Sequence, residues 1–76
     1  MKKRLEKDEA FLKELGKRIS SIRKEKNMSQ VELSYSCDME KSNMNRIESG
    51  NTNPTILVLK KIGDALEIDL KELLNF

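Results

Sequence analysis

Two well-marked helical segments follow one another so closely in this chain that the connection between them decides what it can fold into. The first opens at MSQVEL, residues 28–33. Ser29 and Glu32 have the S-x-x-E spacing of a capping box, and Met28 and Leu33 the spacing of a hydrophobic staple. This segment can run only to about residue 36, because Cys37 and Asp38 lead into a second apolar-spaced stretch. That stretch, carrying Met39, Met44 and Ile47, predicts a helix over residues 40–49, ended by Gly50 and the polar run Asn51, Thr52, Asn53 and Pro54. A connection of about three residues forces an abrupt turn and not an antiparallel hairpin, which is the geometry of a helix-turn-helix unit.

The flanking sequence is helical as well. Phe11, Leu12, Leu15, Ile19 and Ile22 keep the helical period and predict a first helix over residues 8–26, preceded by a basic arm, residues 1–7. Gly16 within it costs about 1 kcal/mol relative to Ala, which suggests a close helix contact there. Asn27 breaks the period. A helix over residues 55–66 keeps Ile56, Leu59, Ile62, Gly63 and Leu66 on one side, with Leu57 outward beside Lys61 and Asp64. Asp69 and Glu72 repeat the box spacing between Ile68 and Leu73, so a short helix is expected over residues 70–74. No β-branched alternation is present. The expected fold is all-α, a compact five-helix domain over residues 8–76.

Several function classes are excluded. The chain has 76 residues, one cysteine (Cys37) and no histidine. It therefore has no intramolecular disulfide and none of the usual zinc ligand sets, and with no glycine-rich phosphate loop or nucleophile beside a base, neither an enzyme nor a cofactor is expected. At this size no small-molecule ligand domain is expected. Such a chain must be held by regular helix packing or by self-association. The longest apolar run spans only residues 56–59, so no secretory signal or membrane span is expected, and a lone free thiol points to the cytoplasm. Cys37 has two readings, a redox sensor or a small buried hydrophobe.

Net charge is only +2, but residues 1–26 carry ten Lys or Arg against five Asp or Glu. Such a run is either a solvated helix face or a phosphate-facing patch. The helix over 40–49 is more informative. Met44 and Ile47 point one way, and Lys41, Ser42, Asn45 and Arg46 occupy the opposite arc. Lys and Arg can donate to guanine O6 and N7, Asn can pair with adenine and Ser suits either, so this face has the chemistry of a major-groove reader.

The chain resembles the Cro and phage-repressor type of helix-turn-helix regulator, the XRE family. The resemblance rests on LGKRI at 15–19, IRKEK at 22–26, MSQVEL at 28–33, MNRIESG at 44–50, NPT at 53–55, LKKI at 59–62, Ala65 and Leu66, and residues 70–74. It implies the five-helix phage-repressor DNA-binding fold, with helix two across the DNA backbone and helix three in the major groove. Lys41, Ser42, Asn45 and Arg46 match the base-reading positions. Gln30 matches one that touches phosphate and often a base; Ser29, Asn43, Asn51 and Asn53 are taken as further backbone contacts. Arg23, which could otherwise be one more phosphate contact, matches an arginine that pairs with the glutamate matched by Glu48. Three residues depart from the pattern. Asp38 stands where a turn glycine is frequent, Glu40 replaces a Ser or Thr cap and brings negative charge near phosphate, and Ser34 replaces a small buried alanine.

The sequence therefore reads as a sequence-specific, double-stranded-DNA-binding transcriptional regulator, with repressor and activator both open. The rival is a protein-interaction module, such as an antitoxin or phage adaptor, whose third helix would expose apolar residues. One domain this small contacts few base pairs, so a homodimer on an inverted repeat is expected, built from Leu57, Lys61, Ile68 and the terminal Phe76. The competing reading has Phe76 folding back over the core with Leu57 a solitary surface leucine.

Overall fold

The computed structural model describes residues 5–76, and the first four residues of the expected arm lie outside them. The described residues form five helices and no strand: α1 Glu6–Glu25, α2 Gln30–Ser36, α3 Lys41–Glu48, α4 Ile56–Ala65 and α5 Leu70–Leu73. α1 starts two residues before the expected boundary, so Glu6 and Lys7 belong to the helix and not to an arm. Its first turn carries Glu6, Asp8 and Glu9, whose negative charge complements the partial positive charge of a helix N-terminus.

The capping box at α2 is fully made. Ser29 Oγ accepts from the Glu32 backbone N–H at 3.0 Å, and the Ser29 N–H donates to Glu32 Oε1 at 2.8 Å. The Ser29 backbone N–H, and after it the Ser29 hydroxyl, hold the Glu32 carboxyl below its ordinary range. Four helices end by the same device, a residue in the left-handed region followed by an N–H that reaches back five residues. Asn27, Asp38, Gly50 and Glu67 are those residues, with φ of 57°, 54°, 76° and 59°. The closing bonds run from Met28 to Arg23, Met39 to Ser34, Asn51 to Arg46 and Ile68 to Gly63, at 2.9–3.1 Å. In three of the four the closing residue, Met28, Met39 or Ile68, is apolar and packs against the core.

That core joins Leu12, Leu15, Ile19 and Ile22 of α1 to Leu33, Cys37, Met44, Ile47, Leu59, Ile62, Leu66 and Leu73. Ser34 is buried among them and satisfied, its hydroxyl donating to the Val31 carbonyl at 2.8 Å. Two residues expected on buried lines are outside. Phe11 is 55% exposed and Ile56 59%. On α1 the buried line starts at Leu12, leaving Phe11 on its flank, where its ring packs on Phe76 with centroids 5.3 Å apart. Ile56 is the first residue of α4, one turn ahead of Leu59, where the buried line begins.

No capping box forms at α5, because Asp69 makes no side-chain cap bond. Glu72 faces α1 instead: Arg18 Nη2 donates to Glu72 Oε1 at 3.1 Å and to the Glu72 carbonyl at 2.9 Å. An opposite charge with a second acceptor beside it outcompetes a single backbone N–H.

α3 lies directly on α1 at Gly16. A Cβ there would stand 2.6 Å from the Glu48 carbonyl carbon and 2.7 Å from the Ile47 oxygen, both backbone atoms that cannot swing aside. Gly16→Ala is therefore expected to lift α3 from α1 and cost about 1 to 3 kcal/mol. For a chain this small each kcal/mol lowers the melting temperature by about 4 to 8 °C. An unchanged thermal or urea midpoint would refute the close approach.

Candidate nucleic-acid interface

The turn between α2 and α3 consists of Cys37, Asp38, Met39 and Glu40, and each residue has a physical task. Cys37 is 3% exposed and its N–H continues the α2 ladder to the Leu33 carbonyl. Burial pushes its thiol pKa up, opposed by nearby Lys61. Of its two readings, Cys37 is the buried hydrophobe. Asp38 supplies the left-handed backbone, which Asp tolerates better than most residues. Met39 packs on the core, and Glu40 precedes α3 without a side-chain cap bond, so its carboxylate contributes no hydrogen bond to the start of that helix.

α3 is held from three sides. Met44 and Ile47 bury its inner face, Gly16 lets α1 touch its last turn, and Glu48 binds Arg23. The pair is bidentate: Arg23 Nε donates to Glu48 Oε2 at 2.9 Å and Nη2 to Oε1 at 3.0 Å. Their side chains are 11% and 7% exposed. The third guanidinium nitrogen, Nη1, donates to the Met28 carbonyl at 2.9 Å and ties in the turn between α1 and α2. All three guanidinium nitrogens of Arg23 are thus engaged inside the fold.

The candidate base readers Lys41, Ser42, Asn45 and Arg46 are all exposed on the outer face of α3. Arg46 Nη2 donates to Asn43 Oδ1 at 3.3 Å, one turn back. Asn43, Arg46 and Asn53 line one open cleft of about 350 Å³ with Thr52 and Thr55, so the start of α4 and the loop before it stand beside the reading face. Asn51 is exposed and donates to Ser49 Oγ at 3.1 Å, while Ser49 donates to the Asn45 and Arg46 carbonyls and so caps α3. Ser29 lies at the start of α2, its oxygen already accepting the Glu32 N–H.

Gln30 is more deeply engaged than a backbone contact requires. Its Nε2 donates to Glu48 Oε1 at 3.2 Å, and its Oε1 accepts from Asn45 Nδ2 at 3.4 Å. The sequence carries no local signal for this link, since its partners lie 18 and 15 positions away.

The residues assigned to a dimer surface differ in exposure and packing. Leu57 is 67% exposed. Lys61 is exposed but borders the turn beside Cys37 and Asp38, Ile68 packs partly on the core, and Phe76, 45% exposed, sits against Phe11 of α1. Phe76 therefore does fold back, onto the rim of α1 and not over the core.

Two helices joined by a four-residue turn, the second fixed by a buried ion pair with its polar face outward, define a helix-turn-helix domain of the DNA-binding type. Residues 19–73 match the helix-turn-helix family, and the chain belongs to it, in its phage-repressor or XRE branch. This is a family of DNA-binding transcriptional regulators and not of enzymes. The chain is 37% identical over 62 residues to the control protein C.BamHI of Bacillus amyloliquefaciens, covering 80% of this chain and 76% of that protein. It is 39% identical over 62 residues to the transcriptional regulator SinR of Bacillus licheniformis, covering 80% of this chain but 56% of that one. Among solved structures, the restriction-modification controller protein C.AhdI of Aeromonas hydrophila superposes with a TM-score of 0.83 at 30% identity, covering 84% and 97% of the two chains. SinR in complex with DNA superposes with a TM-score of 0.73 at 37% identity, covering 80% and 98%.

Removing one partner of the buried pair strands the other charge. Glu48→Ala should cost about 3 to 5 kcal/mol and appear as a large fall in melting temperature. A variant that melts like the wild type and differs only in DNA affinity would show that the pair does not hold α3.

Proposed function

We propose that this protein regulates transcription by laying α3 in the major groove of a specific double-stranded DNA site. Lys41, Ser42, Asn45 and Arg46 read bases, and Ser29, Gln30, Asn43, Asn51 and Asn53 hold the backbone. The observation that carries this reading is the composition of the outer face of α3. Every large hydrophobic residue that the described chain exposes, from Leu5 to Phe76, lies outside α3. A helix evolved to dock on a protein would present such residues at its centre, and this one presents amides, a hydroxyl and two cations. The antitoxin or adaptor reading has no such support. The likeness to SinR, whose solved structure holds DNA, supports the same placement. No helix among the described residues is long and apolar enough to cross a membrane, and the cytoplasm, where duplex DNA is accessible, is the proposed site of action.

Arg46→Ala should weaken binding to the preferred site by about 1 to 3 kcal/mol and relax preference at one base pair. The check is a gel-shift titration on sites selected from random duplex DNA, repeated at several salt concentrations because phosphate contacts weaken with salt. Equal weakening on all sequences would make Arg46 a phosphate contact, and unchanged binding would remove α3 from the groove.

The active form on this reading is a twofold dimer on an inverted repeat. Leu57 and its neighbour Ile56, both more than half exposed on α4, supply its apolar centre, with Lys61, Ile68 and Phe76 towards its edge. Two copies so related would read half-sites about 34 Å apart on one face of the duplex. Sedimentation at micromolar concentration should give a dimer for the wild type and a monomer for Leu57→Glu. A wild type that stays monomeric and fills half-sites independently rules the dimer out.

A further inference from the structure

Glu48 has only acceptors, and the polarity of everything bonded to it follows. Arg23 occupies Oε2 through Nε and shares Oε1 through Nη2 with Gln30 Nε2. An ionised carboxylate accepts only from the NH₂ end of a Gln side chain, so the buried pair fixes which way round the Gln30 amide lies. Its oxygen is then turned outward, and there it accepts from Nδ2 of Asn45 at 3.4 Å. Asn45 can meet that oxygen only with its NH₂ end, so the amide of Asn45 is oriented in turn. One N–H of Asn45 is taken by Gln30, which leaves the second N–H and Oδ1 available on an exposed residue of α3.

We propose that Gln30 is a positioning residue that transmits the orientation of the Arg23–Glu48 pair to Asn45 and thereby makes Asn45 an adenine reader. This rests on the reading that α3 enters the major groove. Adenine offers an acceptor, N7, beside a donor, the N6 amino group, and the free N–H and Oδ1 of Asn45 match them in that order. Guanine presents two acceptors there, N7 and O6, and the Asn45 oxygen would face one of them unpaired. An unanchored Asn can flip its amide to suit a different edge; held by Gln30 it keeps one polarity.

The experiment selects sites from random duplex DNA with four proteins: wild type, Asn45→Ala, Gln30→Met and Gln30→Ser. Gln30→Met preserves length without a hydrogen bond, and Gln30→Ser removes the reach altogether. Melting curves establish that each variant is folded, and the second substitution serves if the first is not. The wild type should select adenine at the pair where Asn45→Ala loses preference, by on the order of tenfold. Both Gln30 variants should lose most of the adenine preference at that same pair, whatever happens to their total affinity. Replacing this adenine by 7-deazaadenine should weaken the wild type and leave the Gln30 variants nearly indifferent. Preference retained at the Asn45 pair in the folded Gln30 variants, or a guanine selected there by the wild type, overturns the proposal and leaves the groove reading standing. A wild type that selects no sequence overturns both.

Discussion

The ion pair between Arg23 and Glu48 is the interaction on which the rest of this structure depends. It joins α1 to the end of α3, and through Nη1 of Arg23 and the amide of Gln30 it also engages the first turn and α2. Two charges taken out of water are no obvious source of stability, because desolvation offsets much of their attraction. What they supply is geometry. A guanidinium fork meets a carboxylate in few orientations, while apolar contacts such as those of Met44 and Ile47 in the core tolerate sliding. The position of Gly16 adds to the constraint, since the two backbones touch one residue short of Ser49, with no side chain between them to adapt. α3 is therefore clamped along its length and in rotation, which is what a side-chain reading surface requires.

Brevity of connection works in the same direction. Each of the first four helices ends in a left-handed residue and a backward hydrogen bond, so the chain turns within a few residues and leaves little loop to order. Because Met28, Met39 and Ile68 close three of these turns with apolar side chains, the turns are part of the core. α5 is four residues long and could not persist alone. It is kept by the fully buried Leu73 and, at its exposed edge, by Arg18 against Glu72. That half-exposed pair adds direction more than strength.

Element order and the helix-turn-helix unit were legible in the sequence because their signals are local. The Ser29 and Glu32 box, the apolar period and Gly50 act within one or two turns of the residues that carry them. The failures have a common physical origin. Periodicity locates a buried stripe but not its width, so Phe11 and Ile56, at the margin of their stripes, could not be told from Leu12 and Leu59. Glu72 has the spacing of a cap, but Arg18, 54 positions away, is the stronger partner. Glu67 adopts positive φ without being a residue type that favours it, and only the closing bond from Ile68 explains it. At the candidate interface the exposed face of α3 followed from helical geometry, and the Arg23 and Glu48 pairing from family resemblance. The double role of Gln30 needed the fold, since nothing near residue 30 announces a carboxylate at residue 48.

A net charge of +2 is low for a chain read as a DNA binder, and the structure suggests how that reading can stand. Long cationic side chains lose considerable rotamer freedom when they meet phosphate, about 2 kcal/mol for a fully fixed Lys or Arg. Here much of the face consists of amides and hydroxyls with fewer rotamers, several already linked in the free protein: Asn45 to Gln30, Arg46 to Asn43 and Asn51 to Ser49. Ordering met on folding is not incurred again on binding. Lys41 is the long side chain of this face that no hydrogen bond or ion pair holds among the described residues. A surface so arranged relies less on counterion release and more on the fit of directed hydrogen bonds, so its discrimination between sequences should outweigh its general attraction to the backbone. For a regulator that balance is advantageous, because each non-specific contact it lacks is one that competing genomic sites cannot use.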